Sequence, residues 1–355
     1  MRQVGVYVGG LCVSLVLLCA GPSLGQTISN VDGQVAHGNT VTIAGLNFGT
    51  RTIDTNLIFD TMETGSFSPR WSNTGSPGAL SINTDNQRSS RSNYNSVTNF
   101  VGNQYVEHAS FTGGSPSPSW YCQYWFKLGN DWTWQTAGNL ANVKIFRLWS
   151  TGDTPENVST ATIGWEDRVY MSPGIAEQNG IFFFEEDFKE KWTIGSWHLF
   201  QWEFKDNSAL GVADGVYRWW VDGRLAFETT QLLTRSAYSP YKRPYGVGWF
   251  NSWGDNGTDD NHFYMDDVYI DNSWGRVELG NAATYSNCTH REIQPPVSWS
   301  ATQVRVTLNQ GSFEAGDAAY LFVVSPSGQR SPGFPVTIGG TVVAGPPGQP
   351  GQPQF

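Results

Sequence analysis

The chain has 355 residues, a formal net charge of -10, only 15% charged residues, and 14% aromatic residues including 16 Trp, alongside 40 Gly. That acidic balance argues against nucleic acid or an anionic membrane surface as partner. Scarce charge, abundant Trp and Tyr and frequent glycine exclude a helical bundle and suit glycine-punctuated strands, whose aromatic faces build a large core or stack on sugar rings.

In chain order, Arg2 precedes the apolar run "VGVYVGGLCVSLVLLCA" and the small residues "GPSLG". This is the pattern of a secretory signal peptide over 1–25, too short and poorly flanked for a membrane anchor. Leu18 before Cys19 does not fit a lipoprotein anchor, and no other run is long enough to span a bilayer. The expected product is secreted and extracellular, without membrane insertion. Cys122 and Cys288 would remain; they either pair in an oxidising compartment or stay as buried thiols, as the mid-strand setting "WYCQYWF" suggests for Cys122.

Beyond residue 25 the apolar pattern has period 2, and no 3.6-residue stripe appears. Strands are expected at "NTVTIAGLNFG", "WYCQYWFKLG", "NVKIFRLWS", "GIFFFEEDF", "SWHLFQWEFK", "GVYRWWVDGRLAFE", "HFYMDDVYIDN", "TQVRVTLN", "DAAYLFVV" and "GFPVTIG". Asp222-Gly223, between "YRWWV" and "RLAFE", signals a two-residue hairpin turn. The 341–355 tail, ending "GPPGQPGQPQF", is a Pro/Gly linker that cannot bury a core.

"TISNVDGQVAHGNTVTIAGLNFG" resembles the opening two strands of a TIG/IPT immunoglobulin-like domain. The segment "VSWSATQVRVTLNQGSFEAGDAAYLFVVSPSGQRSPGFPVTIGG", about 240 residues later, resembles the remainder of that domain. The resemblance implies one discontinuous sandwich, 26–53 with 286–340, carrying 54–285 as an insert in a loop whose ends lie close together. The insert resembles the concanavalin A-like jelly-roll superfamily through "LIFDTMETGSFSPRW", "IGSWHLFQWEFKDNSALGVADGVYRWWVDGRLAFE" and "FYMDDVYIDN". The implied fold class is all-β: a jelly-roll sandwich plus a smaller discontinuous immunoglobulin-like sandwich. That superfamily hosts glucanases, polysaccharide lyases and laminin-G-like binding domains alike, so the fold does not choose an activity.

Four constellations bear on chemistry. Glu185, Asp187 and Glu190 have the spacing of the laminarinase-type glucanase motif, where two carboxyl groups about 5 Å apart serve as acid and nucleophile. Glu186 would bury a charge on the opposite face, and "KWTIGS" brings the next strand too soon for the glucanase layout, so this stretch is expected to be a strand ending in a charged turn.

"QYWFKLGNDWTWQTAGNLANVKIFRLWS" resembles the lyase segment in which two concave-face strands flank a loop. By that resemblance Lys144 and Arg147, with His108 and Tyr124, would neutralise a uronate carboxylate and move protons. The lyase Gln-x-His triplet and Arg-x-Glu-x-Arg strand are missing, and Arg147 is otherwise an ion-paired or snorkelling strand residue.

Tyr121, Gln123 and Trp125 share a strand face, and with Arg147, Trp149, Trp165, Trp249 and Trp253 they form the expected carbohydrate-binding set. Trp132 and Trp134 also fall in polar loops. Asp60, Glu63 and Asp267, with the "GDNGTDDN" loop, supply hard oxygen donors for a structural Ca2+ where first and last strands meet; the alternative is a polar loop without metal. His198 alternates with Phe200, Trp202 and Phe204 and is expected to be structural. The leading expectation is a secreted jelly-roll protein that binds polysaccharide or cell-surface glycan through a concave aromatic and polar groove. The alternatives are a polysaccharide lyase on the same groove and a structural or adhesive surface protein.

Overall fold

The computed structural model describes residues 25–53, 58–71, 80–101, 116–132, 143–150, 158–163, 169–172, 183–185, 192–235, 241–250 and 260–342. Among these the regular structure is β-strand, apart from one single-turn 3-10 helix at Tyr285–Asn287. The strands in chain order begin with β1 (Thr27–Gln34), β2 (Thr40–Leu46), β3 (Ile58–Asp60), β4 (Leu80–Asn83), β5 (Asn95–Val101), β6 (Ser119–Leu128) and β7 (Val143–Ser150). They continue with β8 (Val158–Ile163), β9 (Val169–Ser172), β10 (Phe183–Glu185), β11 (Trp197–Lys205), β12 (Gly215–Val221), β13 (Arg224–Leu232), β14 (Lys242–Phe250) and β15 (Asp260–Asp271). The last are β16 (Arg276–Gly280), β17 (Arg291–Gln294), β18 (Pro296–Trp299), β19 (Gln303–Thr307), β20 (Ala318–Val324), β21 (Phe334–Thr337) and β22 (Thr341–Val342).

Two sheets make the jelly roll. One runs β13-β12-β11-β6-β15-β5-β4 with β3 added on β15, and the other runs β10-β9-β8-β7-β14. Strand alternation sorts the large side chains. Trp120, Cys122, Tyr124 and Phe126 of β6, Phe200, Trp202 and Phe204 of β11, and Tyr217 and Trp219 of β12 face inward into one apolar cluster, which Leu148 of β7 joins. Asp222 and Gly223 both have positive φ, 48° and 75°, as a two-residue hairpin turn between β12 and β13 requires. A Cβ on Gly223 would stand 1.8 Å from the carbonyl oxygen of Cys288, so this tip closes directly onto the second sandwich.

That second sandwich brings the first and last described stretches of the chain together. Its sheets run β18-β19-β2-β1-β22 and β17-β16-β20-β21, and β2 pairs with β19 from Val41↔Val306 to Ala44↔Gln303. Val31, Val41, Ile43 and Phe48 from the first part of the chain share a core with Val277, Leu279, Val304, Val306 and Leu321 from the last. The sequence boundary at 285 puts Arg276–Gly280 in the insert, whereas this strand pairs with β17 and β20.

The outer face of the larger jelly-roll sheet is buried as well. Tyr121 and Tyr269 pack with Trp274 and Ile293, and the Trp274 indole donates to the carbonyls of Trp120 and Phe204, both at 3.0 Å. Burial on both faces explains why β6 reads as a nearly continuous apolar run rather than an alternating one. Arg276 lies at the centre, fully buried, 3.0 Å from Glu203, 3.3 Å from Glu278, and 3.8 Å over the Tyr121 ring. Gln201 donates to Glu278 at 2.6 Å, Tyr285 donates to the other oxygen at 2.6 Å, and Arg291 donates to the side-chain carbonyl of Gln201. Burial opposes the charge on Glu278, but Arg276 and Arg291 outweigh it and hold the carboxyl below its ordinary range.

Cys122 and Cys288 are free and buried. Cys122 points into the jelly-roll core while Cys288 sits on the second sandwich across the opposite sheet face, so the buried-thiol alternative is the one observed. Residues 1–24 lie outside the described residues, and among the described residues no helix is long and apolar enough to cross a membrane.

Arg276→Ala should cost about 3 kcal/mol, because Glu203 and Glu278 stay buried with less compensation. Urea unfolding midpoints of the two proteins measure this. A loss below about 1 kcal/mol would mean that the network does not hold the sandwiches together.

Candidate functional site

The smaller jelly-roll sheet holds the two basic residues singled out in the sequence. In β7, Arg147 pairs with Thr160 of β8 and Gly246 of β14, while Lys144 pairs with Thr162 and Trp249. Leu148 is buried in the core, so alternation puts positions 147 and 149 on the opposite face of the sheet. Thr160 pairs onward with Ser172 and Thr162 with Tyr170, so these positions continue the Arg147 face across β8 and β9. A bulge between Lys144 and Phe146 brings position 144 level with Thr162.

The five strands of this sheet carry Lys144, Arg147, Lys242 and Arg243 against the single acid Glu185. The chain as a whole is at -10, so this sheet is a local reversal of charge. Glu185 pairs with Val169 at the sheet edge; Asp187 and Glu190 lie outside the described residues, as do His108, Trp134, Trp165 and Trp253.

The expected binding set divides on burial. Tyr121, Gln123 and Trp125 do share a face, but it is the face covered by the second sandwich, so they are not carbohydrate contacts. Tyr121 and Gln123 are fully buried, the Tyr121 hydroxyl donates to Gln123 at 2.7 Å, and Gln201 donates to both the Tyr121 hydroxyl and Gln123. Trp125 donates to Glu292 at 3.2 Å and stacks edge-on against His290. Tyr124 is fully buried in the jelly-roll core, where burial raises its pKa well above the ordinary phenol value, so it is not a proton carrier for a surface ligand. Trp132 is a core residue too.

The carboxylates expected to share Ca2+ each have protein partners, and residues 254–259 of the "GDNGTDDN" loop lie outside the described residues. Asp60 accepts from the amides of Met62 and Ser68 and from the Trp71 indole at 2.7 Å. Glu63 accepts from the backbone and side-chain amides of Asn93. Asp267 pairs with Arg88. Among the described residues no three His, Cys, Asp or Glu side chains form a metal-binding group.

Arg88 supplies the cation of that region: it reaches Glu292 at 2.7 Å and Asp266 at 3.6 Å and lies over the Trp125 ring. Burial raises the carboxyls of Asp266 and Asp267. Burial also opposes charge on Glu292, but Arg88 and a 2.7 Å bond to His290 bring that carboxyl down to about 2.

Besides His290, two histidines among the described residues have acid partners. His198 Nδ1 lies 2.8 Å from Asp222, and its Nε2 lies 3.2 Å from both the hydroxyl and the carbonyl of Thr193. Asp222 also accepts from the Leu199 amide, and the ring packs on Phe126, so His198 anchors the β12–β13 turn rather than activating Thr193. His262, partly exposed, meets Asp131 and stacks on Tyr264 at 6.1 Å. Sequence reasoning missed Asp131, because β6–β15 pairing alone joins positions 131 residues apart.

No family model and no curated protein matches the sequence. Solved structures similar to the chain include an endo-β-1,4-glucuronan lyase from the fungus Trichoderma reesei, at 14% identity over 62% of this chain and 95% of that one, with a TM-score of 0.40. A cellulose-induced protein matches at 15% identity over 61% and 97%, with a TM-score of 0.39. A β-glucanase catalytic domain from Podospora anserina matches at 11% identity over 63% and 96%, with a TM-score of 0.35. At such distances no residue role or substrate carries over.

The folded pKa of Glu292 lies below its unfolded value near 4.5, so its contribution to stability is complete above pH 4.5 and is lost as the pH falls toward about 2. Glu292→Gln should therefore cost on the order of 3 kcal/mol near neutrality. The gap between variant and wild-type denaturation midpoints should narrow as pH is lowered through that window; a constant gap would contradict the assignment.

Proposed function

We propose that the chain is a carbohydrate-binding jelly-roll protein that engages an acidic, uronate-bearing polysaccharide along the Arg147 face of the smaller sheet. The observation that carries this reading is the reversal of charge: by register the positions of Lys144, Arg147 and Arg243 share this face, while Lys242, opposite Ser150, and Glu185, in the Val169 row, fall on the other, in a chain at -10. A polyanion approaching an acidic protein is steered to such a surface. The Tyr121, Gln123 and Trp125 face of the larger sheet offers no such surface, since the second sandwich covers it. Trp149 and Trp249 lie on β7 and β14, among the basic positions, as a surface that stacks sugar rings while pairing their carboxylates requires.

A second reading, β-elimination on the same face, draws support from the register. Lys144, Thr162 and Tyr170 form one transverse row, so Lys144 and Tyr170 are two strand spacings, about 10 Å, apart. A lyase needs a cation to neutralise the C5 carboxylate and a Tyr, His or Lys to take the C5 proton and return one to the leaving oxygen. Secretion by a signal peptide over 1–25 and a TIG/IPT-like identity for the second sandwich complete the proposal.

Affinity electrophoresis of the mature protein against neutral and uronate polysaccharides tests both readings. Retardation by uronate polymers alone, weakened roughly tenfold by Arg147→Ala without a change in melting temperature, is the expected result. Growth of unsaturated-uronate absorbance would establish the lyase. Equal retardation by neutral polymers, or none by any polymer, would overturn the proposal.

A further inference from the structure

Between the β12–β13 hairpin and two loops of the second sandwich, 283–286 and 327–332, lies a cleft of about 720 Å³. It belongs to neither sandwich alone and lies on the opposite sheet of the jelly roll from Arg147. The volume is within the range of small-ligand sites. Its lining combines the Trp220 ring and the exposed Leu225 with the hydroxyls and amides of Thr284, Ser286, Ser327 and Gln329.

The charges around it do not balance. Four arginines, 218, 276, 291 and 330, are linked by ion pairs to three glutamates, 203, 228 and 278. Arg276 and Arg291 are fully buried behind the cleft, and Arg218 is held by Glu228. Arg330 is the weakly committed cation: its only ion pair among the described residues is at 3.5 Å, to a Glu203 that already has Arg276 at 3.0 Å. Its Nε is buried without a hydrogen-bond partner. The guanidinium is nevertheless fixed in place, 5.4 Å from the Trp220 ring and 4.7 Å from the Tyr285 ring. A planar fork held between two rings, with donors to spare, is a receptor for one carboxylate.

We infer that this cleft is a second ligand site, taking a short saccharide through one carboxylate bound by Arg330, with sugar hydroxyls meeting the Ser, Thr and Gln groups of the rim. The need for an anionic group follows from the cleft alone; that a sugar carries it rests on the function proposed above. Arg330 here is a binding residue, and no covalent step is involved.

Titrating the mature protein with a mannuronic acid trisaccharide, its carboxyl-reduced counterpart and a tetraglutamate peptide tests this, read by amide shifts at Gly223, Gly328 and Gln329. The uronate should move these amides. Arg330→Gln should weaken the effect at least tenfold, as expected for loss of a charge-assisted contact. Ser327→Trp fills the cleft mouth from an exposed position without touching the ion pairs, and should abolish the shifts in a protein of unchanged melting temperature. Arg147→Ala should leave them intact, so failure of the sheet surface and failure of the cleft are separate outcomes. Absent shifts, an unchanged affinity in Arg330→Gln, equal binding of the reduced sugar, equal binding of the peptide, or loss in Arg147→Ala would each overturn the inference.

Discussion

A fully buried guanidinium, that of Arg276, organises this molecule. It stands between two sandwiches, against Glu203 on the larger jelly-roll sheet and Glu278 on its own strand, and covers the Tyr121 ring. Charges at such depth persist only with full compensation, so the groups around it are constrained in turn: Gln201, Tyr285 and Arg291 complete the shell. A second pair, Arg51 and Asp271 at 2.7 Å, joins the stretch where the chain has left the second sandwich to the end of β15, just before it returns. The chain crosses from Asp271 to Arg276 in four residues, one of them the buried Trp274. The second sandwich therefore covers one jelly-roll sheet, and the two proposed ligand surfaces are on the other sheet and at the rim between the two units.

Much of the fold was legible because strand alternation and turn chemistry are local. The Asp222-Gly223 turn has the backbone its residues demand, and the strand runs "WHLFQWEFK" and "QVRVT" fall where alternation puts them. The alternation of β6 also put Tyr121, Gln123 and Trp125 on one face correctly. It could not say what covers that face, because the covering residues, Glu278, Arg291 and Glu292, lie some 155 to 170 positions later and pair through geometry rather than pattern. Arg88, which pairs with Asp267 and Glu292, is invisible to a search for oxygen ligands for the same reason. The reversed charge of the smaller sheet was present in the sequence, but it emerges only when β14 is placed beside β7.

Charge is thus segregated in an orderly way. Buried arginines and glutamates pair with one another at the seam, basic positions outnumber acidic ones on the strands of the five-stranded sheet, and Arg330 has one long ion pair, to Glu203, among the described residues. In the proposed reading paired charges serve structure and the remaining cations serve ligands, so the glycan face and the cleft are separate sites.

The central claim is that the jelly roll and the second sandwich are one cooperative unit welded through buried ion pairs. Native-state hydrogen exchange tests it most directly, by comparing amides of β16 and β20 with those of β6 and β11. The account predicts that the slowest amides of all four strands exchange through the same global opening, with equal free energy and equal denaturant dependence. Exchange of β16 and β20 through a separate, lower-energy opening, while β6 and β11 stay protected, would contradict it.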